Sequence, residues 1–269
     1  MTMLIDAFTF FNELDMLEFR LWVLYPLVDK FVIVEADHTF SGKKKPFNLE
    51  NNWGRFAWAH DKIIYHKMMV NPNVMKPDVA PPSQYQPDHQ CWKIESIQRE
   101  GIIEGCKGLP SDAIVMIGDV DEIPSRDAVV YVAKESVCAA KPIVLRQSIF
   151  YYNLRFMRKE FWHGTIATTL SMLREIGAQN MRDKRNSLEL ILAHSGWHMS
   201  YFGDVERIWH KVESFSHQEL NTDKYKNADH IAHCIESGED LFDRDVPLMA
   251  VGRDHFPDYF REYANKEWW

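Results

Sequence analysis

Two aspartates one residue apart follow a run of five apolar residues near the middle of the chain. Asp119 and Asp121 are separated only by Val120, and the apolar run covers residues 113–117. Two carboxylates at this spacing can both reach a hard cation such as Mn²⁺ or Mg²⁺, which leaves open positions that diphosphate oxygens can fill. Such an ion stabilises the negative charge that builds up on a departing nucleoside diphosphate. The motif is therefore typical of a metal site that binds a diphosphate.

An Asp-x-Asp tripeptide is also common by chance. The alternative is a solvated turn in which an aspartate or Ser125 caps the following helix. The position of the motif favours a site, because open α/β sheets bind ligands just past the carboxyl ends of their strands. Residues 122–124, Glu-Ile-Pro, end the strand pattern behind it. We predict that Asp119 and Asp121 bind the metal.

A histidine and an arginine later in the chain are candidate companions of these acids. His198 could complete the metal shell or donate a hydrogen bond to the diphosphate, or it could be a hydrogen-bonded core histidine. Arg146 lies in an alternating strand pattern with buried neighbours, so it requires a carboxylate or phosphate partner. It could form an ion pair with the acids of residues 119–122 or contact a phosphate directly.

The elements around these residues predict an α/β fold. Residues 3–8 form a strand pattern, Asn12 can cap a helix that carries Leu14, Leu17 and Leu21 on one face, and residues 31–34 and 63–65 are further strands. Strand, helix and strand in this order are the opening of an α/β sheet. A helix is predicted over residues 90–106, a strand over 113–117 and a helix from Ser125 to about Cys138.

The second half of the chain has longer and less regular elements. Strands are predicted over residues 143–154, 161–169 and 196–202, with helices over 204–215 and 222–236. Residues 71–87 contain five prolines and are predicted to be a loop or lid. We expect one domain over residues 1–269, with about 1–140 on the nucleotide side and about 141–269 on the acceptor side.

Composition excludes some classes of protein. The formal net charge of −8 argues against a nucleic-acid partner, whose phosphates require a basic face. The four cysteines, Cys91, Cys106, Cys138 and Cys234, are widely spaced and are predicted to be reduced, buried thiols. The chain enters a strand pattern at Met3 without a signal peptide, and no apolar run is long enough to span a bilayer. We expect a cytoplasmic protein.

Five segments in order resemble glycosyltransferase family 17. They are Phe10-Phe-Asn-Glu-Leu-Asp15 with Arg20, Phe31-Val-Ile-Val-Glu35 with Thr39, Asp119-Val-Asp-Glu-Ile-Pro124, Leu145-Arg-Gln-Ser148 and Gly196-Trp-His198. The resemblance covers most of the chain. It implies a GT-A type, Rossmann-like mixed sheet flanked by helices, a UDP-sugar donor, a divalent cation (Mn²⁺ or Mg²⁺), and transfer with inversion at the anomeric carbon. N-acetylglucosamine is the sugar that the family suggests, with a glycan or glycolipid as acceptor.

The resemblance also assigns roles to individual residues. Asp119, Asp121 and His198 would hold the metal, and the nucleotide pocket would be formed by Phe8, Asn12, Glu13, Glu35, Asp119, Arg146 and His198. An inverting transfer needs a base for the acceptor hydroxyl. In many inverting enzymes of this type that base is an acid at the start of a helix after a late strand, which indicates Glu206 or, next to it, Asp204. Both acids would also be favourable there simply because they cap a helix.

Two other functions are compatible with the same aspartates. One is a nucleotidyltransferase or metal-dependent phosphohydrolase, although residues 8–14 contain no glycine for a phosphate loop. The other is a catalytically silent protein that binds a nucleotide sugar or a glycan. Trp92 and Trp162 are the indoles that we expect to contact an acceptor sugar, since apolar sugar faces pack on aromatic rings.

Overall fold

One mixed sheet organises the computed structural model, which describes residues 2–71, 84–86, 88–134, 138 and 140–269. Within these residues the sheet has ten strands, numbered in chain order. The strands are β1 (Leu4–Phe10), β2 (Lys30–Ala36), β3 (Ile63–Met68), β4 (Ile114–Asp119), β5 (Glu122–Pro124), β6 (Ile143–Tyr151), β7 (Phe156–Thr169), β8 (Leu190–Leu192), β9 (Gly196–Ser200) and β10 (Leu248–Ala250).

Helices connect and cover these strands. They are α1 (Leu14–Leu24), α2 (Asn48–Asn51), α3 (Gln90–Gly105), α4 (Arg126–Val132), α5 (Leu170–Ile176), α6 (Ala178–Asp183), α7 (Val205–Ser214), α8 (Ala228–Ser237) and α9 (Asp258–Tyr263). Short 3-10 helices span Trp53–Ala59, Gln218–Leu220, Arg253–His255 and Lys266–Trp268. Among the helices of the described ranges, none is long and apolar enough to cross a membrane.

The strand order is β3-β2-β1-β4-β7-β6-β9-β5, with β10 beside β7 and β8 beside β6. The first four strands of this order are parallel, and β7 then runs antiparallel to β4. The parallel part needs crossover connections, which α1 and α3 help to supply. The predicted α/β class, with a mixed sheet flanked by helices, is confirmed.

The sheet is buried on both faces, as its parallel part requires. Alternate residues of β1 enter two separate cores: Phe8 and Phe10 pack with Leu17 of α1, whereas Ile5 and Ala7 pack on the side of α3. This alternation also places Asp6 on the α1 face, where its carboxylate meets an arginine of that helix.

The sheet curls so that its last strand returns to its middle. Only Val120 and Asp121 separate β4 from β5, yet three strands lie between them in the order of hydrogen bonding. β5 pairs with β9, which sets Glu122 opposite His198 and Pro124 opposite Gly196. A Cβ atom on Gly196 would lie 2.1 Å from the carbonyl oxygen of Ile123, and its φ is 142°. Only glycine fits this approach, which holds His198 beside the acidic turn.

Most predicted elements are confirmed, with changes at their ends. The predicted strand over 143–154 ends at Tyr151, and the next begins at Phe156, five residues earlier than expected. The last predicted helix of the second half begins at Ala228 and not at residue 222, because Asn227 is its N-cap and accepts a hydrogen bond from the backbone N–H of His230. Most of the predicted loop over 71–87 lies outside the described residues. All four cysteines are free and buried, as predicted.

Candidate functional site

The turn between β4 and β5 brings the predicted acids together with basic side chains from three helices. Asp119 Oδ1 accepts a hydrogen bond from Thr9 Oγ1 at 3.1 Å and from Arg99 Nη2 at 2.9 Å, and Asp119 Oδ2 accepts one from Arg182 Nη2 at 2.9 Å. Burial by itself raises the pKa of Asp119, but the two guanidinium groups hold it far below its usual range. Asp119 is therefore an ionised carboxylate with both oxygens occupied.

Glu122 is the second anchor of Arg182. Its carboxylate is fully buried and accepts hydrogen bonds from Arg182 Nη2 at 2.5 Å and Nη1 at 2.9 Å, from Trp162 Nε1 at 2.5 Å and from the backbone N–H of Asp119 at 3.1 Å. Arg182 thus bridges Asp119 and Glu122 and ties α6 to the turn. From the sequence, Glu122 was expected at the strand end and among the acids that Arg146 could pair with, and its pairing with Arg182 was not predicted.

Asp121 faces a different cation. Its Oδ2 lies 2.9 Å from Lys211 Nζ on α7, and its Oδ1 lies 3.7 Å from His198 Nε2. Burial raises the pKa of Asp121, but the ammonium of Lys211 and, next, His198 lower it overall. Burial also lowers the pKa of His198 below its usual 6.5, so its imidazole is neutral near pH 7.

A buried arginine shapes the backbone of the turn. Arg20 of α1 forms a two-point ion pair with Asp6, with Nε and Nη2 at 2.8 and 2.7 Å from the carboxylate oxygens. Its Nη1 donates to the carbonyl oxygens of Asp119 at 2.7 Å, Val120 at 3.3 Å and Glu122 at 2.8 Å. Both charged side chains are fully buried. These hydrogen bonds fix the positions of the three carbonyls and with them the shape of the turn.

Three connected openings surround these residues. The central cavity, of about 200 Å³, is lined by Asp119, Asp121, His198, Lys211, Glu13, Glu95, Arg99, Trp162 and neighbours. The apolar pocket, of about 70 Å³, shares Glu13 and Lys211 with it and is lined by Phe11, Phe40, Phe215, His38 and Thr39. The wide cleft, of about 1020 Å³, begins at Asp119 and Arg99 and extends past Trp162 to Trp92 and His217.

A divalent cation fits Asp121 and His198 better than it fits Asp119. Within the described part of the chain, Asp121 Oδ1 accepts no hydrogen bond, and His198 Nε2, 3.7 Å from it, is the ring nitrogen that faces it. Both oxygens of Asp119 accept hydrogen bonds from guanidinium groups, so a metal there would compete with Arg99 and Arg182. No group of three or more His, Cys, Asp or Glu side chains among the described residues could hold a metal. Two protein ligands suffice for an ion whose other ligands are phosphates and water.

Two residues predicted for the nucleotide pocket lie in the interior instead. The expected strand ended at Phe8, but β1 continues to Phe10, so Phe8 is fully buried in the core. Glu35 is also fully buried, and its carboxylate accepts hydrogen bonds from Lys45 Nζ, Tyr65 Oη and the backbone at the start of α2. Glu35 therefore anchors a loop and lines none of the three openings. Asn12 and Glu13 do lie at the surface of the site, where Glu13 lines both the central cavity and the apolar pocket.

The predicted partner of Arg146 is corrected. Its guanidinium packs over the ring of Phe161 at 4.8 Å, and it has no acidic partner among the described residues. Successive side chains of a strand point to opposite faces, so the next residue, Gln147, takes the face of the acidic turn. Gln147 donates to Thr165, whose hydroxyl donates to the carbonyl of Glu122.

The predicted bases lie outside the openings. Asp204 is the N-cap of α7, where its Oδ1 accepts a hydrogen bond from the backbone N–H of Arg207 at 2.9 Å. Glu206 is exposed and lies about 140° around the helix from Lys211, which faces the central cavity. That either acid is the base stays a prediction.

The two arginines and the lysine that pair with the acids of the turn were not predicted from the sequence. Arg99, Arg182 and Lys211 come from α3, α6 and α7, and each lies 20 to 90 residues from its acid along the chain. A weak signal existed at Arg99, which sits four residues after Glu95 and forms a helix ion pair with it at 3.0 Å. Nothing in the spacing of Arg182 or Lys211 indicates their acidic partners.

Comparison with known proteins identifies a family. The family model described as glycosyltransferase family 17 matches residues 2–248. The chain is similar to the beta-1,4-mannosyl-glycoprotein 4-beta-N-acetylglucosaminyltransferases of Rattus norvegicus, at 25% identity, and Homo sapiens, at 27%, each over 239 residues. Each match covers 78% of this chain but 42% of the relative, so the chain spans well under half the length of these curated relatives.

Solved structures show a more distant similarity. A 4-diphosphocytidyl-2C-methyl-D-erythritol synthase from Anaerococcus prevotii matches with a TM-score of 0.40 and 9% identity, over 71% of this chain and 87% of that one. The galactosyltransferase LgtC, in complex with donor and acceptor sugar analogues, matches with a TM-score of 0.37 and 10% identity, over 71% and 73%. Scores this low indicate only a loose overall likeness.

Proposed function

The chain belongs to glycosyltransferase family 17, and we propose that it transfers N-acetylglucosamine from a UDP-linked donor to a hydroxyl group of a glycan or glycolipid. The observation that carries the proposal is the meeting of acids and cations at one cavity, at the carboxyl ends of β1 and β4. Ligands of open α/β sheets bind at this edge. The rat and human relatives are N-acetylglucosaminyltransferases by name, which supports the choice of sugar.

The charge of the central cavity supports a requirement for a divalent cation. Four carboxylates and two permanent cations line it, and His198 is neutral near pH 7. The carboxylates belong to Glu13, Glu95, Asp119 and Asp121, and the cations to Arg99 and Lys211. A diphosphate would therefore enter a cavity of net negative charge, which a divalent ion would neutralise.

Asp121 and His198 are the residues that would hold this ion. When bound, it would stabilise the charge that develops on the leaving diphosphate. Lys211 and Arg99 also line the cavity, where their N–H groups could donate to phosphate oxygens. Arg20 acts through the backbone, because it holds the carbonyls of the turn that carries Asp121.

The apolar pocket is a suitable place for the nucleobase. Phe11, Phe40 and Phe215 supply aromatic surface next to the cavity, and Gln98 adds a polar group. Flat bases stack on aromatic rings, and a few polar groups fix their orientation. The pocket joins the central cavity at Glu13 and Lys211, so a base placed there keeps its diphosphate near Asp121.

Inversion requires a base on the acceptor side of the donor sugar. Glu206, and Asp204 beside it, were predicted from the family resemblance, but neither carboxylate lines the cavity. Glu95 borders both the central cavity and the wide cleft. We therefore propose Glu95 as a third candidate, because an acceptor in the cleft would meet the donor sugar there.

The test of the proposed function is Mn²⁺-dependent hydrolysis of, or transfer from, UDP-N-acetylglucosamine. Asp121→Asn should lower the rate by roughly a hundredfold or more, since it removes the charge that would hold the ion. The matched control is Asp112→Asn, an exposed aspartate at the opposite end of β4. Binding of the donor without turnover would instead indicate a silent binding protein, and no binding in the presence of Mn²⁺ would contradict the proposal.

A further inference from the structure

Arg185, in the wide cleft, forms no ion pair with any of the described residues. Arg99 is paired with Glu95 and Asp119, and Arg182 with Asp119 and Glu122. Arg185 lies one turn after Arg182, and among the described residues no carboxylate lies within ion-pair distance of it. Its guanidinium stacks over the ring of Trp162 at 4.8 Å, and its Nη1 contacts only the carbonyl of Arg182, at 3.4 Å.

Physical reasons make an unpaired arginine here unusual. Arg185 is only partly exposed, so it has lost part of its hydration, and no carboxylate of the described residues contacts it directly. Burial and the neighbouring Arg182 both lower the pKa of Arg185, which means that its environment disfavours the protonated form. A fork of N–H donors held flat against an indole is preorganised for a carboxylate or a phosphate.

The position of Arg185 separates it from the proposed donor site. It lines the wide cleft but not the central cavity that contains Asp121 and His198. Trp162 borders both openings and forms the wall between them. A group bound to Arg185 would therefore lie on the acceptor side of the donor sugar.

The rest of the cleft is suited to a sugar chain. On its far side Trp92 forms edge-to-face contacts with Tyr85, at 5.1 Å, and with His217, at 4.6 Å. Rings held by such contacts give rigid apolar surfaces on which sugar faces can pack. The cleft's volume of about 1020 Å³ exceeds what one monosaccharide needs.

We propose that the wide cleft binds an acidic acceptor glycan, and that Arg185 recognises a carboxylate or phosphate on it. This inference rests on the proposed function, because it takes the acceptor to be the molecule that binds in the cleft. The described acidic side chains of the cleft do not pair with Arg185: Glu95 and Asp119 hold other arginines, and Asp183 accepts a hydrogen bond from Gln179 at 2.8 Å. The fourth, Asp88, is exposed and lies outside ion-pair distance of Arg185.

The experiment measures binding of three probes by calorimetry with the donor site filled by UDP and Mn²⁺. The probes are a glucuronic acid-terminated disaccharide, its neutral glucose-terminated counterpart and the same neutral disaccharide carrying a 6-phosphate. We expect the wild-type chain to bind at least one acidic probe roughly tenfold more tightly than the neutral one, from one charge-assisted hydrogen-bond pair. The two acidic arms distinguish a carboxylate from a phosphate.

Variants connect this preference with Arg185. Arg185→Gln should abolish it, Arg185→Lys should retain part of it, and Lys184→Gln, an exposed neighbouring control, should leave it unchanged. Equal binding of all three probes, absence of binding, or a preference that survives in Arg185→Gln would overturn the inference. So would a loss of UDP affinity in Arg185→Gln, because Arg185 would then serve the donor. If the wild-type chain shows the acidic preference but no turnover of the donor, the subsite stands and the proposed function fails.

Discussion

Lys211 Nζ lies 2.9 Å from Asp121 Oδ2, on the side of the carboxylate that faces away from His198. The ammonium is mostly buried, and the neighbouring Asp121 raises its pKa although burial opposes this, so it stays charged at any physiological pH. A permanent cation therefore shares the carboxylate that we propose as the metal ligand. Ions bound to one carboxylate repel each other, so Lys211 and the proposed metal would compete for Asp121 until a diphosphate balanced both charges.

This competition predicts the effect of removing Lys211. Lys211→Met should raise the affinity of the donor-free chain for Mn²⁺ by roughly tenfold, because the repelling charge is gone. The same variant should bind UDP more weakly in the presence of Mn²⁺, since one phosphate donor is lost. Calorimetric titrations with Mn²⁺ and with UDP measure the two effects, and Lys184→Met is the control. Weaker Mn²⁺ binding by Lys211→Met would contradict the competition.

The buried pair of Arg20 and Asp6 predicts a non-additive effect on stability. Arg20→Met leaves the Asp6 carboxylate without its partner and removes a donor from three backbone carbonyls, so it should lower the free energy of unfolding by about 3–5 kcal/mol. In the double variant with Asp6→Leu, no charge is left buried, so part of this loss should be recovered. Denaturant unfolding measures both.

Stability and metal binding should separate in the same double variant. The carbonyls of residues 119–122 would still lack their arginine donor, so the turn would be less well fixed and Mn²⁺ affinity should stay below that of the wild-type chain. Full recovery of Mn²⁺ affinity in the double variant would show that Arg20 has only a structural role.

Substitutions of the candidate bases Glu95 and Glu206 should give different results. Glu95→Gln should lower the rate of transfer by roughly a hundredfold, the usual scale for loss of a general base. Glu206→Gln should have little effect, because the helix directs this side chain away from the cavity. UDP affinity should be measured for each variant, since Glu95 also pairs with Arg99. A large loss of transfer in Glu206→Gln would instead support the base predicted from the resemblance.

Asp204→Ala should act on stability. Asp204 caps α7, and loss of such a cap typically lowers the free energy of unfolding by about 1 kcal/mol. Thermal unfolding measures this effect, and Asp204→Ser, which retains a capping oxygen, is the matched control. If both variants lose transfer activity to the same extent while remaining stable, Asp204 has a role in the reaction that its capping contact does not explain.

The four thiols should be inert in the folded chain. Burial raises the pKa of Cys106 to about 12 and those of Cys91, Cys138 and Cys234 to about 11. The reactive thiolate exists only above the pKa, so at pH 8 at most about a thousandth of each thiol is ionised. Labelling with a thiol reagent at pH 8 should be slow in the native chain and fast in denaturant. Rapid labelling of the native chain would contradict the burial of these groups.

Local patterns were enough to predict the first half of the fold and the central motif. Buried runs such as residues 113–117 predict strands from their own composition, and ligands gather at strand ends by the rules of the fold class. The hydrophobic pattern predicted the ends of strands less accurately. Phe8 was placed at the mouth of the site because β1 was expected to be shorter, and Glu35 was assigned to the same pocket although its carboxylate points into the protein.

The sequence by itself determined the α/β class, most of the strands and helices and the acidic turn, because each depends on neighbours within a few residues. Only the tertiary structure decided which cations the acids meet. Arg182 and Lys211 reach Asp119 and Asp121 across 63 and 90 residues, and the curl of the sheet sets His198 opposite Glu122. Such pairs depend on how helices pack and on which face of a strand a side chain takes. For example, Gln147 lies on the face of the acidic turn, where Arg146 was predicted. Spacing along the chain does not indicate contacts between residues so far apart in sequence, because the packing of the whole sheet and its helices creates them.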